Sequence, residues 1–314
     1  MKNILITGYS GFVGSHVLND INHLYKIKLL GRSKGCSSYE HLTANIDAIS
    51  DYSKVLQDVD TIIHIAARVH VMNENSSDPL RDFRAVNTAG TLNLAKQAAN
   101  AGVKRFIFVS TIKVNGESTS NASPYKSSDR TKPEDPYGVS KSEAENQLLL
   151  LSKETGLEIV IIRPPLVYGG GVKANFASLF KLVGKRIPLP LRAINNNKRS
   201  LVSVYNLIDL IKVCIEHPKA TNQVFLVSDD NDISTSDMVA LMAKVQGVNN
   251  YSIPFPVWCF HLLGRLLNKQ EVIDRLVGSL QVDITHTKKT LNWKPPYSVE
   301  EGFAKCVEKN KGKK

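Results

Sequence analysis

At 314 residues the chain exceeds one average domain and can bury a large core, so one large or two closely joined domains are expected. Its four cysteines (Cys36, Cys214, Cys259 and Cys306) are scattered without CxxC or Cys/His ligand spacing, which argues against a disulfide framework and against a metal site and fits a reducing cytoplasm. Lys and Arg exceed Asp and Glu by 40 to 29, a net charge of +11, but no stripe of aromatic and basic residues accompanies the excess, so no nucleic-acid partner is expected.

The first element is an apolar strand expected near 3–7, and on this reading no signal peptide is expected. It runs into Thr7-Gly-Tyr-Ser-Gly-Phe-Val-Gly14 and then a helix whose apolar positions Phe12, Val13, Val17, Leu18 and Ile21 recur at helical spacing. Gly8 suits a tight turn, Gly11 the close approach of a phosphate to the helix N-terminus, and Gly14 the packing of helix on strand, all in the strand–turn–helix context that a dinucleotide fingerprint requires. A second strand near 26–30 ends in Gly31-Arg32-Ser33, followed by Lys34. A carboxylate there would accept the ribose hydroxyls of NAD(H), whereas arginine accommodates a 2′-phosphate, so NADP(H) is preferred to NAD(H).

Further strands near 42–46, 61–65, 105–110, 158–162 and 223–227 alternate with helices, the pattern of a doubly wound α/β sheet. A helix from Pro79 to about Ala101, capped by Asp78, turns Leu80, Phe83, Val86, Leu92 and Ala95 inward. The strand from Arg105 ends in the hydroxyls Ser110 and Thr111, and the polar stretch Asn115–Asp135 is a long loop placed to cover a substrate. Asp135 and Pro136 then open a helix on which Tyr137 and Lys141 fall one turn apart, as the chain's single YxxxK. An ammonium beside a phenol lowers the phenol's pKa, and the phenolate can take a hydroxyl proton.

TGxxGxxG with YxxxK downstream resembles the extended, nucleotide-sugar-modifying short-chain dehydrogenases/reductases, the NAD-dependent epimerase/dehydratase family. Val109-Ser-Thr-Ile-Lys-Val-Asn-Gly116 is similar to that family's SSxxVYG, Ile161–Gly169 to its RPxxVYG and Leu291–Pro296 to its LxWxP. The resemblance implies a Rossmann domain over 1–168 plus about 203–228, and a smaller mixed nucleotide-sugar domain over 169–202 plus 229–314. It implies catalysis by Thr111, Tyr137 and Lys141. For the cofactor it implies Thr7, Gly8, Gly11, Phe12, Val13, Gly14, Arg32, Asn45, Ile46, Ala66, Ala67, Asn87 and Ser110, with Tyr137 and Lys141. For the substrate it implies Thr111, Lys113, Asn175, Leu189 and Arg199, with Asn175 and Arg199 on a diphosphate. Asn115, where the family has tyrosine, is expected in the substrate-side lining, and His64 as a packed strand histidine.

The implied reaction is NAD(P)-dependent oxidoreduction at carbon 4 of a UDP-linked hexose. Arg32 tips the sequence toward an NADPH-dependent reductase of a UDP-4-keto-6-deoxy-N-acetylhexosamine in bacterial surface-polysaccharide synthesis. A UDP-glucose or UDP-N-acetylglucosamine 4-epimerase with retained NAD is the alternative, and a non-catalytic dinucleotide-binding regulator has no need of the three catalytic residues together. Ile253–Leu267 is too short and too interrupted to span a membrane. With the basic tail it is compatible with weak peripheral membrane association, and a homodimer is compatible as well.

Overall fold

The computed structural model describes residues 1–33, 38–69, 77–172 and 174–311; Lys34, Cys36, Lys173 and the last three residues of the basic tail lie outside them. Its strands are β1 (Asn3–Thr7), β2 (Lys26–Gly31), β3 (Glu40–Thr43), β4 (Thr61–His64), β5 (Arg105–Val109), β6 (Glu158–Arg163), β7 (Leu166–Tyr168), β8 (Leu201–Ser203) and β9 (Gln223–Leu226). Seven form one sheet in the order β3-β2-β1-β4-β5-β6-β9, with every pairing parallel. Parallel strands are covered on both faces and so need continuous apolar runs. Ile4-Leu5-Ile6, Phe106-Ile107-Phe108 and Ile159-Val160-Ile161-Ile162 supply them, each fully buried.

One face is covered by α1 (Phe12–Ile21) and later by α7 (Val204–Glu216), whose apolar residues form one cluster with Ile4, Ile6, Ile107 and Val160. The other face carries α2 (Ser53–Leu56), α4 (Thr91–Asn100) and α5 (Pro136–Thr155), packed on Leu5, Ile62, Phe106 and Ile159. Strand order reverses between β1 and β4, so a crevice opens beyond their C-terminal ends, where doubly wound sheets bind ligands.

Asp78 caps α3 (Pro79–Phe83) by accepting from the Arg81 amide, as the sequence predicts. The expected single helix to Ala101 is interrupted, however, by a π-helical turn over Arg84–Gly90 before α4 begins. The turn presses on the segment after β3, since a Cβ on Gly90 would lie 2.7 Å from the Ile46 carbonyl. The third strand also falls earlier than 42–46, because beyond Thr43 the chain curls round Tyr52, whose hydroxyl donates to the Asn45 carbonyl. The polar loop is sewn down: Thr119 and Tyr125 donate backbone N–H groups to Ser279 and Gln281, and Tyr125 accepts from Asp283.

A third cluster lies in the C-terminal half, where Tyr168, Phe176 and Phe303 stack between α6 (Ala174–Gly184), α8 (Thr235–Val245) and α12 (Val299–Lys311). α9 (Val257–Leu266) and α10 (Gln270–Val277) lie against this cluster, and α11 (Thr285–Leu291) returns to β9. The small parallel pair β7–β8 joins the two parts. Three-residue strands carry no period of their own, so sequence patterning did not find them. Among the described residues no helix is long and apolar enough to cross a membrane.

His64 ties β1, β4 and α4 together. The Thr7 Oγ1 accepts from the Ile65 and Ala66 amides and meets His64 Nδ1 at 2.8 Å, while His64 Nε2 meets Thr91 Oγ1 at 2.9 Å. With its oxygen already accepting twice, Thr7 gives its proton to Nδ1, so Nε2 carries the ring's own hydrogen. Burial pushes this imidazole down to about 3 from 6.5, with Lys141 adding repulsion. The unfolded chain therefore binds a proton that the fold refuses, and stability should fall as pH drops from about 6.5 toward 3. In urea denaturation of the cofactor-free protein, His64→Gln should flatten that decline; an unchanged slope would contradict the assignment.

Candidate active site

The glycine turn is built for close approach. Gly8 has φ +72°, and a Cβ there would sit 2.6 Å from the Ala66 nitrogen; one on Gly14 would sit 2.1 Å from the Gly8 carbonyl. Gly11 differs, since its added Cβ would meet only the Gly8 carbonyl, at 3.2 Å. It is the N-cap of α1, with no side-chain cap and no acidic residue in the first turn, so the helix offers its amide donors and dipole to an anion. Phe12 and Val13 begin α1 half-buried, and Ala66 and Ala67 follow β4 half-buried. Thr7 spends its hydroxyl on the clasp with β4 rather than presenting it to the crevice.

Farther along the edge, Arg32 is exposed just past β2, and the described residues at that strand end, Gly31–Ser33, include no carboxylate. Asn45 is exposed, whereas Ile46 is buried against Tyr52 and Leu94. Asn87, on the π turn, is buried and holds both polar groups of the Arg68 backbone, at 2.8 and 3.0 Å, while donating to Ser140 Oγ. It thereby fixes the chain beyond β4 to α5.

β5 delivers Ser110 and Thr111. The Ser110 amide donates to Ile162, but its buried Oγ has no hydrogen-bond partner among the described residues. Thr111 is half-buried and caps a 3-10 turn, Ile112–Val114, by accepting from the Lys113 amide at 3.3 Å. Lys113 itself bridges two carboxylates, Glu117 at 2.8 Å and Asp135 at 2.5 Å.

On α5 the expected cap is present, with Asp135 accepting from the Gly138 amide and Pro136 in the first turn. Tyr137 is half-buried with its ring edge-on to Phe83, and Lys141 lies one turn on, 1% exposed. Lys141 Nζ donates to the Val109 carbonyl at 2.8 Å and sits 3.8 Å from the centre of the Phe108 ring. Burial pulls its pKa down to about 7, opposed by Glu145. Tyr137 goes the other way from the sequence expectation. Burial, then the nearby Asp135 charge, pushes it up to about 12 in the ligand-free chain, because desolvation penalises the phenolate.

Asn115 corrects a second expectation. It is buried rather than part of a substrate lining, accepting from Arg163 Nη1 at 2.9 Å and donating to the Lys126 carbonyl. Arg163 also forms a buried ion pair with Glu145, at 2.5 Å. The amide splits the two roles between Oδ1 and Nδ2 on a short side chain, whereas tyrosine carries both on one oxygen at the far end of a ring. Glu145 was missed, although YxxxKxxxE puts it on the Lys141 face.

Of the remaining candidates, Asn175 is exposed in the first turn of α6, and Leu189 is half-buried, paired with the Ser252 segment through backbone bonds to Tyr251 and Ile253. Arg199 is half-buried and donates through Nη1 to the Arg275 and Gly278 carbonyls. Arg275, which no sequence signal marks, lies beside it, with Nε 3.5 Å from Glu117. Burial and the Arg275 charge lower the Arg199 pKa. Ion pairs thus run from Asp135 through Lys113 and Glu117 to Arg275, joining the Tyr137 helix cap to the two arginines.

A family model described as the NAD dependent epimerase/dehydratase family matches residues 4–228. A UDP-glucose 4-epimerase of Vibrio cholerae is 50% identical over 311 residues, 98% of this chain and 95% of that one. Among solved structures, a UDP-glucuronic acid 4-epimerase from Bacillus cereus in complex with NAD superposes with TM-score 0.79 at 22% identity, covering 98% of this chain and 96% of the other. A Thermotoga maritima UDP-glucose 4-epimerase with UDP-glucose gives 0.77 at 23% identity, covering 99% of both chains. The latter two likenesses are of fold.

The buried ammonium has a measurable cost. Below about pH 7 the folded chain carries it desolvated, and between about 7 and 10.5 only the unfolded chain is fully protonated, so the cost fades as pH rises. Lys141→Met should therefore raise the thermal midpoint of the cofactor-free protein more at about pH 6 than at about pH 9. A midpoint lowered at the acid pH would contradict the burial argument.

Proposed function

Because this chain belongs to the NAD dependent epimerase/dehydratase family, we propose that it interconverts the carbon-4 epimers of a UDP-linked hexose, oxidising and re-reducing that carbon on a retained dinucleotide. The observation that carries the reading is the meeting, on one sheet edge, of an uncapped glycine turn with Thr111, Tyr137 and Lys141. Half the sequence shared with the Vibrio cholerae 4-epimerase supports epimerisation ahead of reduction.

The residues present fit a dinucleotide: Gly11 leaves room for a pyrophosphate at α1, and the Ser110 hydroxyl, without a partner among the described residues, is open to one that a ligand can supply. When bound, the nicotinamide supplies the hydride acceptor and donor. Tyr137 holds the proton exchanged with the sugar's carbon-4 oxygen, and its raised pKa keeps it protonated until a positive neighbour stabilises the phenolate. Thr111 orients that oxygen, and Lys141, held on the Val109 carbonyl, would bind the nicotinamide ribose. Asn87 holds the strand-end backbone in place. Asn175 and Arg199 take the diphosphate, Arg199 through its planar fork, while Leu189 and Lys113 line the substrate. In this division the dinucleotide lies on 1–168 plus about 203–228, and the sugar on 169–202 plus 229–314.

UDP-glucose incubated with the protein and no added cofactor should reach an equilibrium with UDP-galactose, and Tyr137→Phe should slow the approach by about 100- to 10,000-fold. A variant with half the parent rate would remove Tyr137 from the chemistry.

Arg32 keeps a second reading in play, the NADPH-dependent reduction of a UDP-4-keto-6-deoxy-N-acetylhexosamine. On that reading NADPH binds tighter than NADH, Arg32→Asp reverses the order, and cofactor is consumed one for one with the keto-sugar. Equal affinities and no consumption would eliminate it.

A further inference from the structure

Surface helices normally turn polar residues outward, and α9 does the reverse. Its inner side holds Phe260 and Gly264, the latter so close to α10 that a Cβ would lie 2.8 Å from Ile273 Cγ1. Its outer side and end present Trp258, Leu262, Leu263, Leu266 and Leu267, with Trp258 66% and Leu266 70% exposed. A contiguous apolar stripe of this kind marks an interaction surface rather than ordinary scatter.

Carboxylates beside α9 lie on the α10 side, where Asp274 faces His261 at 3.8 Å and Glu271 pairs with Arg275; on the other side the charge is of one sign and identifies the occupant. Residues 245–269, which contain α9, and 181–198 together carry seven Lys and Arg and no Asp or Glu. The two segments are neighbours, because Leu189 pairs with Tyr251 and Ile253, and the Arg192 amide donates to the Ile253 carbonyl at 3.2 Å. Arg192, Arg265 and Lys269 are exposed. A second copy of this chain docked face to face would set these cations against one another. An anionic lipid surface satisfies both halves, taking the leucines below the headgroups and the ammonium and guanidinium groups among the phosphates, with an indole at the boundary.

We propose that this face seats the protein peripherally on an anionic phospholipid bilayer, with α9 lying in the plane of the interface. The proposal stands apart from the reaction, since none of the side chains it places on the bilayer is one assigned to the dinucleotide or the substrate, and Leu189 enters only through its backbone.

The test is co-flotation of the full chain with vesicles of phosphatidylcholine alone or mixed with phosphatidylglycerol, read also by tryptophan emission. Trp293, at 4% exposure, should stay silent while Trp258 shifts to the blue. Binding is expected to the mixed vesicles and not the neutral ones, and to weaken with salt. Leu262→Glu with Leu266→Glu should reduce it at least about tenfold, and Lys185→Glu with Lys269→Glu should reduce it as well, both pairs leaving the thermal midpoint unchanged. Absence of flotation with the mixed vesicles overturns the proposal. So does a dimer in sedimentation that the Leu262→Glu, Leu266→Glu pair splits, which would make the face an interface between copies.

Discussion

The site depends on holding one lysine where the fold least favours it. Lys141 lies beneath the C-terminal edge of the sheet, sealed from solvent, with a single carbonyl and an aromatic face as its immediate company. Both contacts come from β5, the strand that also delivers Ser110 and Thr111, so the register of that strand and the position of the ammonium are one constraint. Desolvation pulls the lysine toward neutrality, and the carboxylate of Glu145, one turn farther along α5, opposes it. Glu145 is in turn held by Arg163 at the end of β6, and Arg163 by Asn115. Removing one member of such a buried pair leaves an uncompensated charge, at a cost of about 3–5 kcal/mol. The network is therefore the scaffold on which the Tyr137–Lys141 turn is hung.

Charge organises the opposite wall in a different way. Asp135 caps the helix that carries Tyr137, adds to the burial that raises the phenol's pKa, and is itself neutralised by Lys113. Lys113 shares Glu117, and Glu117 reaches Arg275, whose carbonyl accepts from Arg199. A negative ligand arriving at the arginines would compete with Glu117 for Arg275, which gives a physical route from the proposed diphosphate site to the electrostatics of the tyrosine.

Much of this was legible in the chain itself. Apolar runs such as Ile4-Leu5-Ile6 and Ile159–Ile162, short and rich in β-branched residues, read as doubly covered strands, and the glycine spacing and the YxxxK pair fix backbone geometry locally. What escaped was decided by tertiary contact. The π turn is set where Gly90 meets Ile46, β7 and β8 exist only through each other, and Asn115 turns inward because Arg163 offers it a donor. Tyr137 shows the same limit: the sequence places an ammonium beside a phenol, but only the fold reveals that burial and the Asp135 charge raise the phenol's pKa in the ligand-free chain.

The most direct measurement is the ionisation of Lys141 in the cofactor-free protein, followed by the 13Cε and 15Nζ shifts of labelled lysine and assigned by the signal lost in Lys141→Met. A titration near 7 is expected, far below the 10.5 of an ordinary lysine. A midpoint near 10.5 would contradict it, because the ammonium would then be solvated and the strand-end contacts on Val109 and Phe108 would not be its resting place.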